Sequence, residues 1–225
     1  MRVREVTSFI LTSPHPCPSP YGGGGIRMYD QCMSRIILAS ASPQRKTLLA
    51  GLGVNFDVMP SRVDESDCGE RDPARRSELL SALKARDVAS RHPGCVIIGC
   101  DTLVVAPDGQ LLEKPRDEED ALRMLSSQSG RTSLVHSAVT VINAAGEECS
   151  GISTSSVMFK KLSQQEEEWW ISTRLWEDRS GGFQIDGPGQ LMIEKIEGDW
   201  SGVVGLPVYL LGELLKKAGV PMWKS

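Results

Sequence analysis

The chain has 225 residues, 40% of them hydrophobic and 24% charged, enough for one substantial domain or two small lobes on a shared sheet. A net charge of −4 excludes a broad basic surface for nucleic-acid polymers, and no apolar run approaches the roughly 20 residues of a membrane span. Six cysteines, at positions 17, 32, 68, 95, 100 and 149, include no Cys-x-x-Cys pair, which points to free thiols in a reducing, cytoplasmic setting.

Residues 1–34 read as a flexible extension. Ser13–Pro20 is proline-rich, and Gly22–Gly25 is a glycine run with no Gly-Lys-Ser/Thr after it, so it is not a phosphate loop. A targeting role, an extended gene-model start and a dispensable tail all fit; Met33 stands directly before the region that reads as folded. From residue 35 to 225 strands alternate with helices. Arg35–Ser40 reads as a strand, Pro43–Leu52 as a helix and Asn55–Met59 as a strand. Asp72-Pro73 opens a helix reaching about Arg91. Cys95–Gly99 and Leu103–Ala106 read as two strands, with a turn at Asp108-Gly109. Asp117 starts a helix to Ser127. Thr132–Asn143 and Ser153–Lys160 are β-rich runs, and Ser163 with Glu166 forms a capping box. Leu191–Ile196 is a strand, and Pro207–Ala218 a last helix ended by Gly219. The pattern is α/β with a mixed sheet.

The densest signal is Ile36 to Lys46. An apolar strand runs into Ser42-Pro43, a good N-cap and first helical position, and Arg45 and Lys46 follow at once. Free N–H groups of a first helical turn plus full positive charges make a place to hold phosphate. An ordinary capped helix with solvated cations would read the same way.

Three later segments separate these readings: Val63-Asp64-Glu65; Ile97 to Val105 with Glu113-Lys114-Pro115 after it; and Gly198 to Pro207. With the first segment, and in this order, they resemble the Maf family of nucleoside triphosphate pyrophosphatases, from about Arg35 to Gly219. The resemblance implies an elongated mixed central sheet with helices on both sides and a cleft between two lobes, as in inosine-triphosphatase-like proteins. It also implies hydrolysis of a triphosphate to monophosphate and pyrophosphate, a divalent cation (Mg²⁺ or Mn²⁺), and a homodimer.

Residue by residue, Asp101 closes an apolar strand, where a carboxylate is more often a cap or turn residue than a base. The resemblance makes it the general base and a metal ligand. Glu65 reads as part of a solvated acidic loop, and the resemblance makes it the second metal ligand. Lys84 and Lys114 match its catalytic lysines, while Ser42 and Arg45 bind phosphate. Gln44, Thr102 and Asp186 fall on substrate-binding positions. His136 reads as a packing residue, and of Trp169-Trp170 one ring packs while the other lies at a surface.

The chain departs from the family at four places. The pyrimidine-preferring members (dTTP and UTP) carry two arginines after Ser-Pro, where this chain has Gln44 and Arg45. They have Gln where it has Asp186, a carboxylate suited to the N1–H and amino group of guanine. Gln44 also differs from the Trp of the 7-methyl-GTP group; Asp186 leans toward 7-methyl-GTP or CTP, whereas Thr102 matches the dTTP/UTP group. Gly202 stands where Asn is common, and Arg179 replaces a Lys. A nucleotide-binding regulator of cell division with little turnover is the rival reading.

Overall fold

The computed structural model describes residues 35–220. The extension expected over residues 1–34 lies outside the described residues, as do residues 221–225. The strands are β1 (Ile36–Leu38), β2 (Phe56–Val58), β3 (Val96–Val105), β4 (Leu111–Leu112), β5 (Thr132–Ile142), β6 (Glu148–Phe159) and β7 (Ile193–Glu197). The helices are α1 (Pro43–Ala50), α2 (Pro73–Arg91), α3 (Glu118–Gln128), α4 (Gln164–Ser172), α5 (Trp200–Val204) and α6 (Val208–Lys217). One mixed sheet runs β2-β1-β3-β5-β6-β7, with β4 also paired to β3. Its β2, β1 and β3 pair in parallel, and the remaining pairs are antiparallel.

Helix starts follow the caps. Ser42, Asp72, Asp117 and Ser163 each accept a backbone N–H from their own first turn, and Pro43 and Pro73 take the first helical positions. The sheet is covered on both faces. Ala85 and Val88 of α2 pack with Ile37, Ala39, Ile97 and Ile142 on one face. Leu49 of α1 and Leu211, Leu214 and Leu215 of α6 pack with Leu38, Val96, Ile98 and Val139 on the other. Further along that second face, α3 and α4 supply Ala121, Met124, Leu125 and Trp170 around Val104, Val135 and Phe159. Strand β3 is buried on both sides, which explains its near-continuous apolar run.

Several boundaries shift by one or two residues from the sequence reading, and two differ in a way that shapes the sheet. β3 is one strand of 10 residues, so Asp101 sits inside it rather than at its end. Gly99 and Asp101 looked like breakers. Instead, Gly99 lets α2 approach: a Cβ there would stand 2.3 Å from the Ser81 carbonyl oxygen. Strand β6 begins at Glu148, five residues before the expected Ser153, and includes Gly151, where a Cβ would stand 2.9 Å from Leu210 Cδ1 of α6.

One detail of pairing positions the site. On the side of β3 away from β5, β1 pairs with Val96–Ile98 and β4 with Val104–Val105. Between them β3 has no strand neighbour from Gly99 to Leu103 on that side. The sheet is notched there.

Candidate active site

A cavity of ≈ 810 Å³ opens over the notch. Its lining includes every site residue expected from sequence: Ser42, Gln44, Arg45, Glu65, Lys84, Asp101, Thr102, Lys114 and Asp186. Lys46 is exposed and is not part of the lining, so the second cation after Ser42-Pro43 lies outside the cavity.

The floor is an ion triad. Lys84 of α2 places its Nζ 2.5 Å from Asp101 Oδ1 and 2.8 Å from Glu65 Oε1. Lys84 and Asp101 are buried, whereas Glu65 is about half exposed. The second Asp101 oxygen, Oδ2, is buried with no hydrogen-bond partner among the described residues. Burial pushes the Asp101 carboxyl above the ordinary range, against the pull of Lys84 and Arg45. Burial would also raise Glu65, but the hydrogen bond and charge of Lys84, with the charges of Arg45 and Lys114, hold it below its usual value. Cys100, next to Asp101, is fully buried, and burial drives its thiol up to about 11, so it is no nucleophile.

Arg45 forms the opposite wall. Its Nε donates to the Gly205 carbonyl at 2.9 Å, Nη1 to Ser40 Oγ at 3.2 Å and Nη2 to Thr102 Oγ1 at 3.1 Å. Thr102 in turn donates to the Gly205 carbonyl at 3.3 Å. Thr102 is therefore occupied in holding the guanidinium and the loop after α5. A serine row on β5 and β6 anchors the α5 segment itself. Ser137 Oγ lies 2.6 Å from the Gly202 carbonyl oxygen, and Ser155 Oγ accepts the Asp199 N–H at 2.9 Å. A side chain at Gly202 would meet only ordinary contacts, so the loop does not depend on glycine there.

The rim is charged and largely exposed. Lys114, mostly exposed, faces Asp178 at 3.7 Å. Arg174, Glu177, Asp178 and Arg179 extend this rim, which sequence reasoning missed apart from Arg179. Gln184 and Asp186 also line the cavity, Asp186 being exposed. Of the tryptophans, Trp170 is fully buried and donates through Nε1 to the Gly182 carbonyl at 2.8 Å, while Trp169 is partly exposed, as the sequence suggested. His136 is partly buried, with Nδ1 3.0 Å from Thr154 Oγ1, away from the cavity lining.

The donor set fits a hard divalent cation. Asp101 offers a buried, unpartnered oxygen and Glu65 a water-facing carboxylate. No cluster of three or more potential metal-ligating His, Cys, Asp or Glu stands among the described residues, so phosphate oxygens and water would complete the shell.

The Maf-like protein family model matches residues 35–218. A relative named dTTP/UTP pyrophosphatase from Deinococcus radiodurans is 46% identical over 83% of this chain and 94% of its own length. Another of that name from Moorella thermoacetica is 42% identical over 85% of this chain and 98% of its own. A solved structure of a HAM1 protein from Coxiella burnetii aligns with TM-score 0.48 and 12% identity, over 82% of this chain and 100% of that one. A likeness so loose carries no argument about function. The leaning toward 7-methyl-GTP or CTP finds no support: these relatives bear the dTTP/UTP name, and Asp186 is exposed at the rim, where water competes for its hydrogen bonds. The match takes in the whole sheet and every residue of the ion triad, and the chain belongs to the Maf family of nucleoside triphosphate pyrophosphatases.

Proposed function

We propose that the protein hydrolyses dTTP and UTP to the monophosphate and pyrophosphate. The observation that carries this reading is the unpartnered Asp101 Oδ2, held beside Lys84 across the cavity from Arg45. Oδ2 accepts the proton of a water whose oxygen bonds to the α-phosphorus. The bond from that phosphorus to the bridging oxygen breaks, and pyrophosphate leaves with the electron pair. A carboxyl raised by burial is a stronger base than an exposed one, which suits this role. Lys84 fixes Asp101 through Oδ1 and so leaves Oδ2 open. Arg45 and the rim Lys114 are the cations that balance charge on the phosphates. A divalent cation held by Asp101 and Glu65 would supply Lewis-acid stabilisation to the phosphate oxygens. The cytoplasmic setting rests on the cysteine usage, and the homodimer on the family resemblance.

The base is read by Gln184. This side chain lines the cavity and is partly buried, and its amide nitrogen lies only 2.4 Å from where a Cβ on Gly187 would stand. The glycine therefore makes room for that amide. A carboxamide carries one acceptor and one donor side by side, the complement of the N3–H and O4 of uracil or thymine. The test is a panel of dTTP, UTP, CTP, GTP and 7-methyl-GTP with Mg²⁺ or Mn²⁺, scoring monophosphate, pyrophosphate and single phosphate separately. Pyrophosphate release strongest with dTTP and UTP is expected. A preference for 7-methyl-GTP or CTP, release of single phosphates, or binding without turnover would each reject it. Gln184→Ala should lower the preference for dTTP over GTP by about 10-fold, the scale of one or two lost hydrogen bonds, while Asp186→Asn changes it little.

A further inference from the structure

Glu65 belongs to a three-residue 3-10 turn, Glu65–Asp67, in an otherwise irregular stretch between β2 and α2. So short a turn does not fix its own position. Its local bonds are an Asx cap, in which Asp64 accepts the Ser66 N–H at 2.9 Å, and the Cys68 N–H donating to the Glu65 carbonyl at 3.3 Å. Neither ties the turn to the rest of the protein. Arg76, in the first turn of α2, does. Its Nη2 donates to the Glu65 carbonyl at 3.0 Å, and its Nη1 donates to the carbonyls of Cys68 at 2.7 Å and Glu70 at 3.4 Å. Its Nε is buried with no partner among the described residues. A guanidinium that leaves one donor unsatisfied while serving three backbone carbonyls is held by them, not by a carboxylate.

Lys84 lies two turns further along α2, through the buried Leu80. One rigid helix thus grips Glu65 twice, at its main chain through Arg76 and at its carboxylate through Lys84. We infer that Arg76 is a positioning residue for the reaction: it sets where the Glu65 carboxylate stands relative to Asp101. It touches neither substrate nor cation, and it is not part of the cavity lining. The inference rests on the reading of Glu65 as a working carboxylate of the site.

The experiment is a double-mutant cycle of Arg76→Ala and Glu65→Gln, with steady-state dTTP hydrolysis, thermal unfolding and Mn²⁺ binding without nucleotide. Arg76→Ala should lower kcat/KM about 10-fold or more and weaken Mn²⁺ binding in the Glu65 background. It should do neither once Glu65 is Gln, because a positioning residue has nothing left to position. A merely structural role would lower activity by the same factor in both backgrounds. Arg76→Lys, which keeps fewer donors for the three carbonyls, should fall between wild type and Arg76→Ala, and it carries the cycle if the alanine variant does not fold. Equal loss in both backgrounds, or wild-type behaviour of Arg76→Ala beside an impaired Glu65→Gln, overturns the inference alone. Full activity of Glu65→Gln overturns the role of Glu65 and the inference with it.

Discussion

Lys84 serves two carboxylates with one ammonium, and they respond differently. Asp101 is buried and its pKa is raised; Glu65 is half exposed and its pKa is lowered. A base must be ionised to work, so activity should fall as pH drops through the raised Asp101 pKa, earlier than the ordinary value of 3.8 would give. The stability effects have opposite signs. For Asp101 the protonated form favours the fold, so its contribution is present below the unfolded pKa and lost as pH rises through the folded one. For Glu65 the ionised form favours the fold, so its contribution is present above the unfolded value and lost as pH falls through the folded one. At neutral pH the Asp101 charge is therefore a cost to folding that function retains. Asp101→Asn should lower kcat by about 100-fold or more, the usual range for a lost general base, without a large drop in unfolding temperature. Circular dichroism melts beside single-turnover rates check both; near-normal turnover would remove Asp101 from the mechanism.

At the scale of elements, α2 is the part on which the site depends. It carries Lys84 and Arg76, and it lies against β3 at Gly99, where a Cβ would also come within 2.8 Å of Ala85 Cβ. Gly99→Ala should force the helix away from the strand that bears Asp101. Overpacking of this kind costs about 1–3 kcal/mol. In a domain of this size that lowers the unfolding midpoint by about 2–4 °C per kcal/mol, readable by calorimetry. Unlike Asp101→Asn, it should lower stability and turnover together. The sequence made α2 plain, through the Asp72-Pro73 cap and the alanine-rich interior, but it hid the strand beside it. A glycine and an aspartate in one strand look like an interruption until the helix that needs the glycine and the lysine that neutralises the aspartate are in place. Helix α5 was hidden for a related reason. Its five residues include Gly202 and are held by Ser137 and Ser155 on distant strands, which no local pattern records. The site residues with a local signature, such as Ser42 and Arg45 at a helix start, were legible. Arg76 was not, because its partners are backbone carbonyls that carry no sequence mark.

For the molecule as a whole, an acidic chain gathers Arg45, Lys84 and Lys114 around one cavity. The same lining holds Glu65, Asp101, Glu177, Asp178 and Asp186, so an anion is drawn in by whichever cations the carboxylates leave free. Lys84 is neutralised by its two carboxylates and Lys114 faces Asp178, so the partly buried Arg45, whose partners are a carbonyl and two hydroxyls, leads the attraction. Raising salt from about 50 to 200 mM shortens the screening length and should lower kcat/KM while leaving kcat nearly unchanged. Stopped-flow or initial-rate series at fixed metal concentration distinguish the two; a salt-independent kcat/KM would mean that steering is absent. The notch in the sheet has a consequence of another kind. Successive amides in a strand point to opposite edges, so within Gly99–Leu103 some are tied to β5 while their alternates look into the notch. Amide deuterium uptake along this one strand should therefore alternate between slow and fast in the free protein. A bound nucleotide that closes the notch should slow the fast set and leave the slow set as it was, so that the central strand itself reports occupancy without any label.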